Sequence, residues 1–285
     1  MSSKAEIAVS YDLDPEFYRL WLDSRMNYTC GVFDDTDDLD TAQLAKLAVL
    51  HDFAHIAPDR TVLDIGCGWG NNLAYLTQER DVARAHGITL SQAQYDDIVR
   101  RDLPGVTVSC VDYRDFTPEY AFDAVQSICM IEHVCTPEDA RAGRAVARYR
   151  DYFRKAWTWT NPGAYFALQT GLRDRLPRRA EEARELRWLG ETIFPGGMTP
   201  RAEDIIMAVG PYWEVMQLRT RREDYERTTT HWRARLRAHE EEIRDRWGGD
   251  LFDTYDRYLT CCINSFARRH MTLSQWCLRR VDEPE

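Results

Sequence analysis

Apolar residues recur along this chain in two periods. Leu44, Leu47, Leu50 and Phe53 fall at near-helical spacing and predict a helix over residues 41–55. From Arg60 onward, short apolar runs alternate with longer amphipathic stretches. Thr61–Ile65 and residues 83–90, 106–111, 122–129 and 164–170 read as strands. Residues 71–78, 92–100 and 140–157 read as helices, with Ser91 and the polar stretch 136–139 as helix starts. Residues 14–22 look helical, and 27–33 form a short extended or turn segment. Alternating strands and helices imply an α/β fold with a doubly wound, mostly parallel sheet, whose ligands sit beyond the carboxyl ends of the strands. Asp64, Thr89, Asp112 and Glu132 all fall at or just beyond such ends.

The first strand runs into Gly66-Cys67-Gly68-Trp69-Gly70 and then into a helix. Glycines let the backbone pass close to a ligand, and a helix amino terminus favours negative charge. The spacing is G-x-G-x-G instead of the G-x-G-x-x-G of dinucleotide binders. With Asp64 two residues ahead, D-x-G-x-G-x-G resembles the first motif of methyltransferases that use S-adenosylmethionine (SAM). Such a ligand needs a carboxylate near its amino group and a flat backbone surface beside it.

Composition narrows the partners. At 285 residues and 44% hydrophobic, the chain can bury a full core. The opening residues carry no apolar core of a signal peptide, and no run approaches a membrane span, so a cytoplasmic protein without integral membrane association is expected. A formal charge of -10 argues against nucleic acid as a partner. Eight cysteines contain no C-x-x-C pair, so they read as reduced thiols used in packing, and no metal is expected. The acidic run 34–40 lacks the glycine and glutamate of a calcium loop and reads as a solvated loop capping the next helix. His51 and His55 sit one turn apart without the glutamate of H-E-x-x-H.

Over nearly its whole length the chain resembles the cyclopropane fatty acid synthase and mycolic acid methyltransferase family. The motifs YDLDPEFYRLWLD, NYTCGVF, LDTAQLAKL, LDIGCGWG, GITLSQAQ, the Glu132-His133 pair, IFPGGMTP, DYERTTTHW and YLTCCINSF follow in family order. The resemblance implies one SAM-dependent methyltransferase domain over residues 1–285. Within it, 1–57 would be an amino-terminal helical lid, 58–170 the SAM-binding core and 171–210 an inserted substrate cap. Residues 211–285 would supply the rest of the core and further helices. It also implies roles. Tyr28 and Thr29 would close over SAM, and Asp64, Gly66 and Gly68 would cradle it. Thr89 and Gln94 would lie near the ribose, with Asp112 and Tyr113 flanking the adenine. In cyclopropane-forming members a bicarbonate base is held by groups matching the Cys30 and Ile128 backbone amides, Glu132, a histidine and Tyr225. The histidine position is Gln169 here, so the resemblance predicts that bicarbonate and ring closure are lost.

The chemistry follows from charge. An activated methyl donor asks an enzyme to align nucleophile, methyl and leaving sulfur and to exclude water. An attacked alkene becomes a carbocation that sheds a proton, whereas an amine needs only a base. Glu132 and His133 could serve either acceptor, and His133 reads equally as a structural hydrogen-bonder. The segment before IFPGG is crowded with charges, which favours a small, polar specialised-metabolite acceptor over an acyl chain. Carbon methylation, with S-adenosylhomocysteine (SAH) as product, is therefore the leading expectation. Nitrogen methylation of a small amine, cyclopropane synthesis on an unsaturated lipid, and a lapsed SAM-binding scaffold are the alternatives.

Overall fold

In a computed structural model of the chain, residues 2–3, 5–7 and 13–283 are described. Residues 11–12, which open the lid motif, lie outside the described residues, as do 1, 4, 8–10 and 284–285 of the expected domain. The strands are β1 (Thr61–Ile65), β2 (Arg84–Thr89), β3 (Val106–Cys110), β4 (Phe122–Ile128), β5 (Thr160–Arg173), β6 (Trp213–Thr220) and β7 (Met271–Arg280). They form one sheet in the order β3-β2-β1-β4-β5-β7-β6. β7 alone runs against its neighbours, pairing antiparallel with both β5 and β6. The doubly wound, mostly parallel sheet expected from the apolar pattern is therefore present. Its order reverses between β1 and β4, and a crevice opens there beyond the strand ends.

Helices cover both faces of the sheet because the central strands β1, β4 and β5 are buried on both sides. The first helices in order are α1 (Pro15–Arg19), α2 (Leu39–Phe53), α3 (Asn71–Glu79), α4 (Gln92–Arg101), α5 (Pro137–Arg141) and α6 (Ala145–Thr158). They are followed by α7 (Ala180–Thr192), α8 (Ala202–Val209), α9 (Arg222–Ala238), α10 (Glu240–Trp247) and α11 (Gly249–Ala267). On one face α6 and α8 bring Tyr149, Tyr152, Phe153 and Ile205 against Phe166, Leu168, Trp276 and Leu278. On the other, α2 and α3 bring Leu47, Leu50, Leu73 and Leu76 against Val62, Ala124, Ala167 and Cys277. Phe166, Ala167 and Leu168 thus alternate between two cores, as a two-sided strand requires. A third, aromatic cluster joins α1, α9 and α11 through Phe17, Trp21, Trp232 and Tyr255. The Phe17 and Tyr255 centroids are 4.8 Å apart, edge to face.

The helix starts follow local chemistry. Asp38 accepts from the Thr41 amide at 2.8 Å to cap α2, and Ser91 accepts from the Gln94 amide at 3.3 Å to cap α4. Three details differ from the apolar pattern. The expected helix over 140–157 is two helices, because the chain turns at Gly143 (φ 71°). Asp139 holds that break with bonds to the Arg144 and Arg148 guanidiniums at 2.8 and 3.1 Å. β5 begins earlier than expected, its Thr160 pairing with Phe122 across a register shift. The acidic run does cap α2 through Asp38, but it is also strapped to α9. Asp34 pairs with Arg221, Asp37 with Arg227 and Asp40 with Arg235.

Phe166 packs its ring 5.4 Å from Trp213 and 5.8 Å from Phe153 and is fully buried. Phe166→Ala should destabilise the fold by about 3–5 kcal/mol. Urea unfolding should show a lower midpoint with an unchanged slope.

Candidate active site

The turn after β1 forms the floor of a cavity of about 170 Å³. Gly66 (φ 84°) and Gly68 (φ 55°) hold backbone conformations that other residues adopt at a cost of about 1–2 kcal/mol. A Cβ on Gly66 would stand 2.6 Å from the Met130 side chain, so the close approach also requires glycine. A Cβ on Gly68 would meet nothing within 4 Å, because its backbone faces the open cavity. The Gly66 and Cys67 amides both donate to the Ile88 carbonyl, at 2.9 and 3.0 Å, which fixes the turn to the end of β2.

Asp64 ends β1 fully buried at the cavity wall. Its Oδ2 accepts from Asn72 Nδ2 at 2.9 Å, and the same amide donates to Gln126 Oε1 at 2.7 Å. Asp64 Oδ1 is buried with no hydrogen bond among the described residues. Burial pushes the carboxyl up to about 6, against the pull of Asn72 and of nearby Lys46. Thr89 and Gln94 face the cavity side by side, the Thr89 hydroxyl donating to Gln94 Oε1 at 2.7 Å. Tyr113 and Ile128 also line the cavity. Asp112 is turned away: its carboxylate is forked by the Arg114 guanidinium at 2.7–3.1 Å and lies outside the lining.

Beyond β4 the chain enters a short 3-10 helix, Ile131–His133. Glu132 Oε1 accepts from the Gly171 amide at 2.8 Å. Burial pushes its carboxyl up to about 7, while Gly171, Thr170 and Cys129 pull the other way. His133 lines the cavity and contacts Ser2 Oγ through Nδ1 at 3.2 Å. Burial lowers its imidazole to about 4. The IFPGG loop packs on this turn, with the Met198 amide donating to the Glu132 carbonyl at 2.7 Å.

Cys30, Gln169, Glu132 and Tyr225 do not line the cavity; they gather behind Cys129, which does. The Cys129 amide donates to the Gln169 carbonyl at 2.8 Å, and Gln169 Nε2 donates to Cys129 Sγ at 3.9 Å. Gln169 Oε1 is already taken by Gln275 Nε2 at 2.8 Å. Burial raises the Tyr225 phenol, and Cys129, Cys30 and Glu132 add to that shift. Burial likewise raises the thiols of Cys30 and Cys129, so both stay protonated at neutral pH. Among the described residues no group of three His, Cys, Asp or Glu could hold a metal.

Tyr28 and Thr29 reach the cavity from the irregular segment before α2. Lys46, Asn72, Cys129 and Gln275 are among the lining or supporting residues that the sequence reading does not single out. Lys46 left one trace, since it occupies the buried stripe of α2 with Gln43, Leu47 and Leu50. Cys129 left none: it sits at φ 57° without the glycine that usually marks such a backbone.

A doubly wound sheet with a glycine-floored cavity at its switch point defines the Rossmann-like methyltransferase class. Residues 1–276 match the family described as mycolic acid cyclopropane synthetase, and the chain belongs to that family. It is 29% identical to the cyclopropane-fatty-acyl-phospholipid synthase of Escherichia coli K12, over 93% of this chain and 65% of that protein. The chain thus spans about two-thirds of that relative's length. It is 30% identical to the S-adenosylmethionine-dependent methyltransferase UmaA of Mycobacterium tuberculosis, over 95% of both chains. Among solved structures, mycolic acid cyclopropane synthase CmaA1 complexed with SAH and CTAB superposes with a TM-score of 0.88. That match has 25% identity and covers 98% of each chain. Among the described residues no helix is long and apolar enough to cross a membrane.

Proposed function

We propose that this chain is an SAM-dependent methyltransferase that methylates a nucleophilic carbon, an alkene carbon first of all, of a small-molecule acceptor without closing a three-membered ring. The cavity suits SAM on several counts. Gly68 leaves room for a ligand against the backbone, and the unpartnered Asp64 Oδ1 offers an acceptor for an ammonium group. Thr89 and Gln94 suit ribose hydroxyls, and Tyr113 suits the face of an adenine. Tyr28 and Thr29 would cover the ligand from the lid side. When bound, SAM supplies an electrophilic methyl group on a cationic sulfur.

The observation that carries the rest is the neutral amide that Gln169 places behind Cys129. Gln169 presents a neutral amide committed to Gln275 and Cys129, and the Cys129 side chain itself stands in this space. An anion such as bicarbonate gains little from neutral amides and protonated thiols compared with a charged partner. Glu132 is then the base. Its carboxyl titrates at about 7, matched to proton transfer near neutral pH, whereas His133 at about 4 is a weak acceptor there. Ionised Glu132 would stabilise positive charge developing on the acceptor and take the proton it sheds. Tyr225, its phenol protonated, would orient that carboxylate or the acceptor by donating a hydrogen bond.

The charges of the cap no longer bear on acceptor polarity. Glu181, Arg184, Arg187 and Glu191 of α7 are exposed, and Glu182 and Glu185 pair with Arg268 and Arg257 of the α11 region. Facing the interior, Phe194 and Tyr258 pack edge to face, and Tyr225 stacks on Phe266. Such surfaces favour an acceptor with an apolar body.

Gly68→Val should fill the open space above the turn and weaken SAM and SAH binding by about tenfold or more by calorimetry, with the fold checked by circular dichroism. Unchanged affinity in a folded variant would refute this placement. Glu132→Gln should lower turnover by about 10²–10⁴-fold while SAM affinity changes little. In the wild type kcat/KM should rise with pH through about 7, as Glu132 ionises, and the variant should lose that rise. Finally, turnover in carbonate-depleted buffer should not respond to added bicarbonate. Strong restoration, with a cyclopropane as product, would sink the ring-free reading.

A further inference from the structure

Lys46 projects from α2 into the molecule and is 1% exposed, yet it lines the cavity. Its Nζ donates to Asn27 Oδ1 at 3.3 Å and Thr29 Oγ1 at 3.1 Å, both neutral acceptors. An ammonium has three donors, so one remains for another partner. Among the described residues Lys46 forms no ion pair within 4.0 Å. Asp23, the strongest of its electrostatic partners, is engaged elsewhere, by the Asn27 amide at 2.7 Å, Asn27 Nδ2 at 2.8 Å and the Arg25 amide at 3.1 Å. A buried cation without a directly bonded counter-ion is costly, and an anionic ligand beside it would offset that cost.

We infer that Lys46 binds the carboxylate of the methionyl end of SAM, while Asp64 takes the ammonium on the same carbon. This inference rests on the proposed SAM site. Two buried groups of opposite charge line one cavity, each with unused bonding capacity: Asp64 Oδ1 and the third N–H of Lys46. They match the two charged ends of an α-amino acid, the one part of SAM that carries both signs on adjacent groups. Thr29 and Asn27 set the lysine's position from the lid segment, so seating the carboxylate would also brace that segment over the ligand. Lys46 is a binding residue in this account and takes no part in proton transfer.

The test uses the full chain and two probes by calorimetry: SAH, and decarboxylated SAH, which lacks only the carboxylate. Wild type should bind SAH at least about tenfold more tightly than the decarboxylated probe. Lys46→Met should lose about tenfold or more in SAH affinity and less than about threefold for the decarboxylated probe. If wild type binds both probes equally, Lys46 does not serve the carboxylate, and this result needs no variant. Equal losses for both probes would make Lys46 a latch for the lid. A changed response to bicarbonate with intact SAH affinity would assign its charge to the space around Cys30 and Cys129. Each of these outcomes overturns the inference. Failure of wild type to bind SAH at all would instead overturn the proposed SAM site beneath it.

Discussion

A buried carboxylate at the end of the central strand sets the terms for the rest of this structure. Removing Asp64 from water is unfavourable unless its oxygens find partners, and among the described residues one hydrogen bond is supplied, by Asn72. That single amide also grips Gln126, so β1, α3 and β4 are tied at the one place where the strand order reverses. The switch point is thereby held open by polar contacts instead of collapsing into apolar packing. Glycines beside it keep the backbone bare, and Lys46 returns an opposite charge from α2. The cavity thus holds buried charged groups with bonding capacity left over, which suits it to a charged ligand.

The second constraint is separation of charge between the cavity and the group behind Cys129. Asp64 and Lys46 lie at one end, where a zwitterion would be matched. Glu132 lies across β4, where burial holds its carboxyl near neutrality. Between them stand groups that remain uncharged: the thiols of Cys30 and Cys129 and the amides of Gln169 and Gln275. In the proposed reading, a cation formed beside Glu132 would meet that carboxylate. Methyl transfer to carbon needs that arrangement more than it needs a strong base.

Much of this was legible in the residue pattern. The apolar run of β1, its terminal acid and the spaced glycines are local signals, and the turn they predicted is the floor of the cavity. Thr89 and Gln94 were also findable, because the end of a parallel strand points to the crevice, whereas Glu132, just past β4, is held behind Cys129 and does not line the cavity. The misses share a different cause. No motif marks Lys46 in the sequence, and its partners Asn27 and Thr29, far along the chain, show what receives its buried ammonium. Asp112 sits at a strand end but is captured by Arg114, two residues on, a competition that pattern alone does not resolve. Cys129 owes its left-handed backbone to the Gln169 carbonyl on another strand. The helix break after Asp139 likewise involves Arg144 and Arg148, whose shared partner the apolar pattern does not show.

The position of β7 bears on how the chain is made. Among the described strands it is the last to be synthesised, yet it lies between β5 and β6 and bonds to both. Until the ribosome has delivered it, β5 keeps a bare edge and β6 has no neighbour in the sheet. The nucleotide-type half, β1 to β4 with its glycine turn, can by contrast assemble early from adjacent segments. Synthesis therefore passes through an interval in which the cofactor end is shaped while the far edge is open and prone to wrong pairing. Closing that interval falls to a segment whose Leu273, Trp276 and Leu278 are all fully buried, which gives the late strand a strong apolar reason to insert.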